Sequence, residues 1–222
     1  MDWFGGEGAG VRTLKRSFWT AFLLQNWFLY LLVLIIFILG AFLGVFIANS
    51  LPSEQLAEIH NYLNAFFKQI ERLQINSAVA ARSIMYENII FISAIYFLGL
   101  TFVGIPFILL LVLGRGFILG FAISCLTKTM SWPGFIFALV SILPHNLFYI
   151  PALVIGVVAA ISFASLTIKR NGGHRVKLWS SLMGYTGVML VVMAVTLGAG
   201  LIEVYFSPWL TRFTSGFIQM NL

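Results

Sequence analysis

Charge is what this chain has least of. Of its 222 residues only 9% are Asp, Glu, Lys or Arg, against about a quarter in a soluble domain. A chain so poor in charge cannot keep a globular surface wetted. Acids are the scarcer sign, 7 against 13 Lys and Arg, for a net charge of +6. In a soluble protein that excess would point to nucleic acid. Here no Arg-rich arm and no platform of interleaved aromatics accompanies it, so no nucleic-acid partner is expected. The cations stand beside apolar runs instead, where they set orientation and meet the anionic lipid of a bilayer.

Cysteine is nearly absent as well. Cys125 is alone, which excludes an intramolecular disulfide and a cysteine metal site. His60, His145 and His174 lie far apart with no ligand spacing between them. No Ser-His-Asp order, zinc spacing or phosphate loop is found, so no catalytic residue, metal or cofactor is expected and the chain reads as no enzyme. The first apolar run, Trp27 to Ala48, is too long for the core of a cleaved signal and reads as a retained anchor.

What the chain has in quantity is hydrophobicity: 60% of residues, with a mean hydropathy of +0.99. Several runs reach the roughly 20 apolar residues that a helix needs to cross a bilayer. The pattern predicts an all-α, polytopic membrane bundle in a single domain. Residues 1–26 form an N-terminal segment, 27–48 span 1, 50–86 an amphipathic helix and 88–113 span 2. Residues 116–143 form an interrupted span 3, 146–168 span 4, 178–204 span 5 and 207–222 an interfacial tail.

Cations orient these spans. Arg12, Lys15 and Arg16 precede span 1, and Lys169, Arg170, Arg175 and Lys177 follow span 4; both groups should be cytoplasmic. The loop from Asn49 to Glu87 mixes three cations with four acids and is assigned to the outside. Span 2 then returns inward and leaves Arg115 at the cytoplasmic surface. The chain from Gly116 to Leu147 must cross outward once, as a span broken near Lys128 to Pro133 or as a crossing plus a re-entrant segment. Either way there are five crossings, with the N-terminus in and the C-terminus out.

Within the outer loop, Leu56, Ile59, Leu63, Phe66, Ile70 and Leu73 recur three and four apart, a heptad seam on a helix whose other faces carry charge. Such a seam packs on the protein's own spans, receives a partner's helix, or lies on lipid. Asn49 to Ser53 reads as a stop followed by a helix start, with Ser53 as cap.

Helix breakers mark the other places of interest. Gly104 and Pro106 fall inside span 2. Pro144 should end the outward crossing, since proline lacks a donor and restricts its predecessor. His145 and Asn146 then serve as turn and cap, or line a shared contact surface, and Pro151 falls near the start of the next helix. Glu203, near the outer end of span 5, either snorkels to the headgroups or pairs with His145 or Asn146. Gly40 with Gly44, and Gly116 with Gly120, have the spacing of close helix approach and would permit a homo-oligomer.

Several of these stretches, in order and spacing, resemble the stage II sporulation protein M family of bacterial inner-membrane proteins. They are Leu100-Thr101-Phe102-Val103-Gly104-Ile105-Pro106, Gly114-Arg115-Gly116-Phe117-Ile118-Leu119-Gly120-Phe121, Leu143-Pro144-His145-Asn146, Ile150-Pro151-Ala152-Leu153 and Gly200 to Pro208. Two departures stand out: many broader relatives have His-Gly at His145-Asn146 and a glutamate at Tyr149. This chain is closer to the sporulation proteins proper. The resemblance implies a non-enzymatic scaffold of the engulfment machinery. It would hold two peptidoglycan-degrading partners, stage II sporulation proteins D and P, at the septal membrane. From the residues alone, a small transporter or channel subunit is the competing expectation, drawn from the broken crossing, Lys128 and Glu203. An intramembrane enzyme has no candidates beyond His145 and Glu203.

Overall fold

In this computed structural model the described residues are 27–52, 54–59, 61, 77–171 and 178–219. They form four long helices: α1 (Trp27–Asn49), α2 (Ser77–Gly99), α3 (Gly104–Asn171) and α4 (Leu178–Gln219). Residues 54–59 are helical too. Five stretches are long and apolar enough to cross a membrane: Trp27–Asn49, Ala81–Gly99, Gly104–Lys128, Pro144–Thr167 and Ser181–Ile202. The chain is an all-α, multi-pass membrane protein.

α3 cannot be straight. Arg115 and Tyr149 would stand about 51 Å apart along one ideal helix at 1.5 Å per residue, yet the Arg115 guanidinium lies 5.2 Å from the centre of the Tyr149 ring. The element folds back on itself into two antiparallel arms. The two apolar arms are Gly104–Lys128 and Pro144–Thr167, so the reversal falls in the stretch that joins them.

The arms correct the expected boundaries. The run from Asn88 to Leu113 is not one span. α2 ends at Gly99, the chain turns through Leu100–Val103, and the first arm of α3 starts at Gly104. The turn is closed by Leu100 N–H to the Phe97 carbonyl and Thr101 N–H to the Leu98 carbonyl, each 3.2 Å. A side chain at Gly104 would strike the Leu98 carbonyl, so the tight connection requires glycine there. Pro106 therefore sits in the first turn of a helix, where its missing donor costs nothing, and not inside a span. The interrupted span 3 at 116–143 becomes an uninterrupted arm, Gly104–Lys128, and the interruption becomes the connection to the next arm. Arg115 moves with these boundaries from the expected cytoplasmic surface to the middle of a span.

Pro144 likewise does not end a helix, and Asn146 does not cap one. Both lie inside α3, and Asn146 donates through Nδ2 to the Ile142 carbonyl one turn back, at 2.9 Å. Pro151 is an exposed residue of the same helix.

Contacts give each span its direction relative to the others. Gly40 meets Leu113 and Gly44 meets Phe117, while Gly116 meets Phe37 and Gly120 meets Ala41; numbers rise together, so α1 and the first arm are parallel. Asn88 bonds the Thr196 carbonyl at 3.3 Å and Tyr96 bonds Thr186 at 3.1 Å, which makes α2 and α4 antiparallel. The second arm, Pro144–Thr167, is the central post: 67% of its apolar stretch is buried, against 22% to 33% in the other four. Its Leu153, Val157 and Ala160 pack with Ile92, Ile95, Ile108 and Val112.

At the end of α1, Ser50 donates through its N–H and its hydroxyl to the Phe46 carbonyl. Lys128, at the corresponding end of the first arm, donates Nζ to the Ala48 and Asn49 carbonyls at 3.2 and 3.0 Å. It satisfies acceptors that a helix end leaves open and sets a positive charge at the negative end of the dipole. Lys128→Met should lower unfolding stability by about 1 kcal/mol, measured by denaturant titration in micelles; Lys128→Arg should recover most of it.

Candidate functional site

An arginine in mid-span is costly unless something takes its charge or its donors. Arg115 stands near the centre of the Gly104–Lys128 span and is half-buried. Aromatic rings supply its surroundings. Its Cζ lies 4.5 Å from the centre of the Phe91 ring on α2 and 5.2 Å from that of Tyr149 on the second arm. Both are within the range in which a cation is attracted to a ring face. The guanidinium therefore stands against rings from two other spans and ties the three together.

Tyr149 continues the stack. Its ring lies 5.0 Å from that of His145, with an interplanar angle of 24°, one helical turn apart on the same face. Tyr149 is only 3% exposed. Its hydroxyl is buried with no hydrogen-bond partner: Arg115 is the neighbouring cation, but no bond of good geometry joins them. Phe91, Arg115, His145 and Tyr149 thus form one column between α2 and the two arms of α3.

Two further contact sets hold the bundle around this column. Where α1 meets the first arm, a Cβ on any of Gly40, Gly44, Gly116 or Gly120 would collide with the opposing backbone. Both glycine pairs are consumed within one chain, in the packing of α1 on α3. On the other side, Tyr185 of α4 donates its hydroxyl to the Tyr96 carbonyl at 3.0 Å. Its ring is stacked between Tyr96 at 5.2 Å and Phe163 at 4.8 Å. Among the described residues no group of three or more His, Cys, Asp or Glu side chains comes together.

Of the residues singled out from sequence, the structure brings Arg115 and His145 to one column. Asn146 is next to it in the chain but bonds its own helix. Leu56 and Ile59 lie half-buried on the short helical stretch 54–59. Leu63, Phe66, Ile70 and Leu73 fall outside the described residues, as does the side chain of Glu203, whose backbone belongs to α4. Sequence reasoning missed Phe91 and Tyr149 as partners of Arg115. Phe91 carries no signal in an apolar run. Tyr149 carried one, as the position where broader relatives of the resembled family have glutamate.

A family model described as Stage II sporulation protein M matches residues 33–208. Comparison with curated proteins and with solved structures finds no match. The matched stretch runs from the first turns of α1, through both arms of α3 and the Arg115 column, and into α4 beyond its apolar span. It covers most of the chain and nearly every element of the bundle, and the chain belongs to the stage II sporulation protein M family.

Proposed function

We propose that this sporulation-family membrane protein is a non-enzymatic scaffold of the engulfment machinery. It holds the peptidoglycan-degrading stage II sporulation proteins D and P at the septal membrane. The observation that carries this reading is the family match over residues 33–208. The packing agrees with it: the described polar side chains Asn88, Tyr96, Thr186 and Tyr185 are engaged in holding helices together. In this reading the N-terminus is cytoplasmic, and the chain after α1 and the end of α4 face the compartment where the cell wall is cut. The seam from Leu56 to Leu73 is the partner-docking element, its apolar ridge offered to a partner's helix.

The test is purification of the tagged protein from sporulating cells, with co-eluting hydrolases identified by mass spectrometry. Wild type should retain both hydrolases. Phe66→Asp, which puts a charge on the seam, should accumulate normally in the membrane and lose them. Normal hydrolase recovery with that variant would reject the seam as the docking element, and absence of both hydrolases from the wild-type eluate would reject the scaffold.

One observation favours a second reading, a small transporter or channel subunit: Arg115 stands uncompensated by any carboxylate among the described residues, at mid-span, where solute sites are commonly built. Solute flux into proteoliposomes that disappears with Arg115→Gln would support it.

A further inference from the structure

Two opposite charges stand at one depth where α2 meets the first arm of α3. Arg115 follows Gly104 by eleven residues, and Glu87 precedes Gly99 by twelve. At 1.5 Å per residue, both lie about 17 Å from the turn that joins their helices. Phe91 connects them. It comes one turn after Glu87 on the same side of α2, and its side chain leans back over that turn. The Arg115 guanidinium rests 4.5 Å from the centre of this ring, which brings it beside the turn that carries Glu87. Yet Glu87 is exposed, and the half-buried Arg115 stands against the rings of Phe91 and Tyr149 instead of the carboxylate.

Neither arrangement satisfies everything. With the cation on the rings, Glu87 must reach for water from six residues inside the span Ala81–Gly99. With the cation on the carboxylate, a charge-assisted bond meets both charges, but the ring faces are given up and Glu87 is drawn out of water. Opposing terms of similar kind keep the two within reach of each other.

We propose that Arg115 is a strap with two positions: the rings, as seen here, and the carboxylate of Glu87, reached by side-chain rotation alone. The positions differ in what they hold. On the rings the guanidinium joins α2, the first arm and the second arm. On Glu87 it joins only α2 and the first arm, and lets go of Tyr149 on the central post. Neutralising Glu87 therefore fastens the second arm. The inference does not depend on the proposed function, since it concerns only how three spans are held.

Nitrogen-15 arginine labelling of the full chain in neutral micelles tests it. Ring faces move guanidinium N–H protons upfield and a carboxylate moves them downfield, so the Arg115 signal reports its position. Relaxation of the same Nε reports its motion, as an order parameter for fast exchange and as dispersion for slow exchange. The Arg115 signal is the one lost in Arg115→Lys; should that variant fail to fold, it is the one displaced downfield by Phe91→Leu. Glu87→Gln, a change at an exposed position, removes one of the two positions. It should move the signal upfield, to the ring-held limit, and quench its exchange. An unmoved signal would overturn the proposal. So would a moved signal with unaltered motion, which is the field of a nearby charge acting on a guanidinium that never leaves the rings.

Discussion

Gly116→Leu should prevent α1 from docking on the first arm of α3. A Cβ at residue 116 already collides with the Phe37 carbonyl, and next to it lies the Ala41 nitrogen at 3.1 Å. These are backbone atoms at the centre of a helix, and no rotamer change moves them. The helices must separate by the width of a side chain, and the reciprocal contact of Gly40 with Leu113 is lost with them. In a bilayer this loss matters more than in water. Lipid tails are as apolar as the helix surface, so close van der Waals packing, not exclusion of water, holds the pair. The expected cost is about 3 kcal/mol or more, the upper end for overpacking. Gly114 provides the control two residues away. Nothing lies within 4 Å of a Cβ there, so Gly114→Ala should raise stability by about 0.5–1 kcal/mol through helix propensity alone. Unfolding in micelles should separate the two variants. Similar behaviour of both would mean that the two helices do not touch at these glycines.

That interface was half legible in the sequence. The spacing of Gly40 with Gly44 and Gly116 with Gly120 announced two surfaces fit for close approach. Nothing in either run could say that each was the other's partner, because pairing belongs to the fold and not to the spacing. The membrane class and the number of crossings were legible for a simpler reason, since bilayer thickness imposes a length on every span. The boundaries of spans 2 and 3 were not. Arg82 and Glu87 pushed the start of span 2 to Asn88, yet both are exposed residues of α2, and the span containing them begins at Ala81. Long side chains near a helix end reach the interface without leaving the helix. With its start displaced, span 2 took in the turn at Leu100–Val103, whose residues are too apolar to look like a loop. The next crossing was displaced equally, so the number of crossings survived while Arg115 was assigned to the surface.

The same displacement hid the candidate site. A cation at a membrane surface needs no explanation, and only its place in mid-span makes its partners informative. His145 was noticed because a polar residue beside proline stands out in an apolar run. Its stacking partner Tyr149 stood out only through the resemblance, as the position where many broader relatives have glutamate, and nothing in the run tied it to Arg115. A turn at Pro144 was the natural reading of a proline at the end of an apolar run. The helix runs through it instead, with Asn146 bonded to the Ile142 carbonyl, and the reversal falls between the two arms, after Lys128 and before Pro144.

Tyr185→Ala should be the second severe substitution, for a reason that Tyr185→Phe separates. The ring is 5% exposed and stacked between Tyr96 at 5.2 Å and Phe163 at 4.8 Å, so it joins α2, the second arm of α3 and α4. Its truncation leaves a cavity that three helices must close together. In water, removal of a buried aromatic ring costs about 3–5 kcal/mol. Part of that is transfer from water, which is smaller here because the unfolded helices remain in lipid. The expected loss is about 2–3 kcal/mol, mostly lost packing. Tyr185→Phe keeps the stack and removes only the bond to the Tyr96 carbonyl, 3.0 Å long, at a cost of about 1 kcal/mol. That carbonyl lies in the last turn of α2, and Leu100 N–H, the donor four residues on, goes to the Phe97 carbonyl, so the loss opens an acceptor at a helix end and that figure is a lower bound. Reversible unfolding in micelles, with helicity followed by circular dichroism, should rank wild type above Tyr185→Phe, and both well above Tyr185→Ala. If the two variants fell equally, the hydroxyl and not the ring stack would be what binds α4 to the bundle.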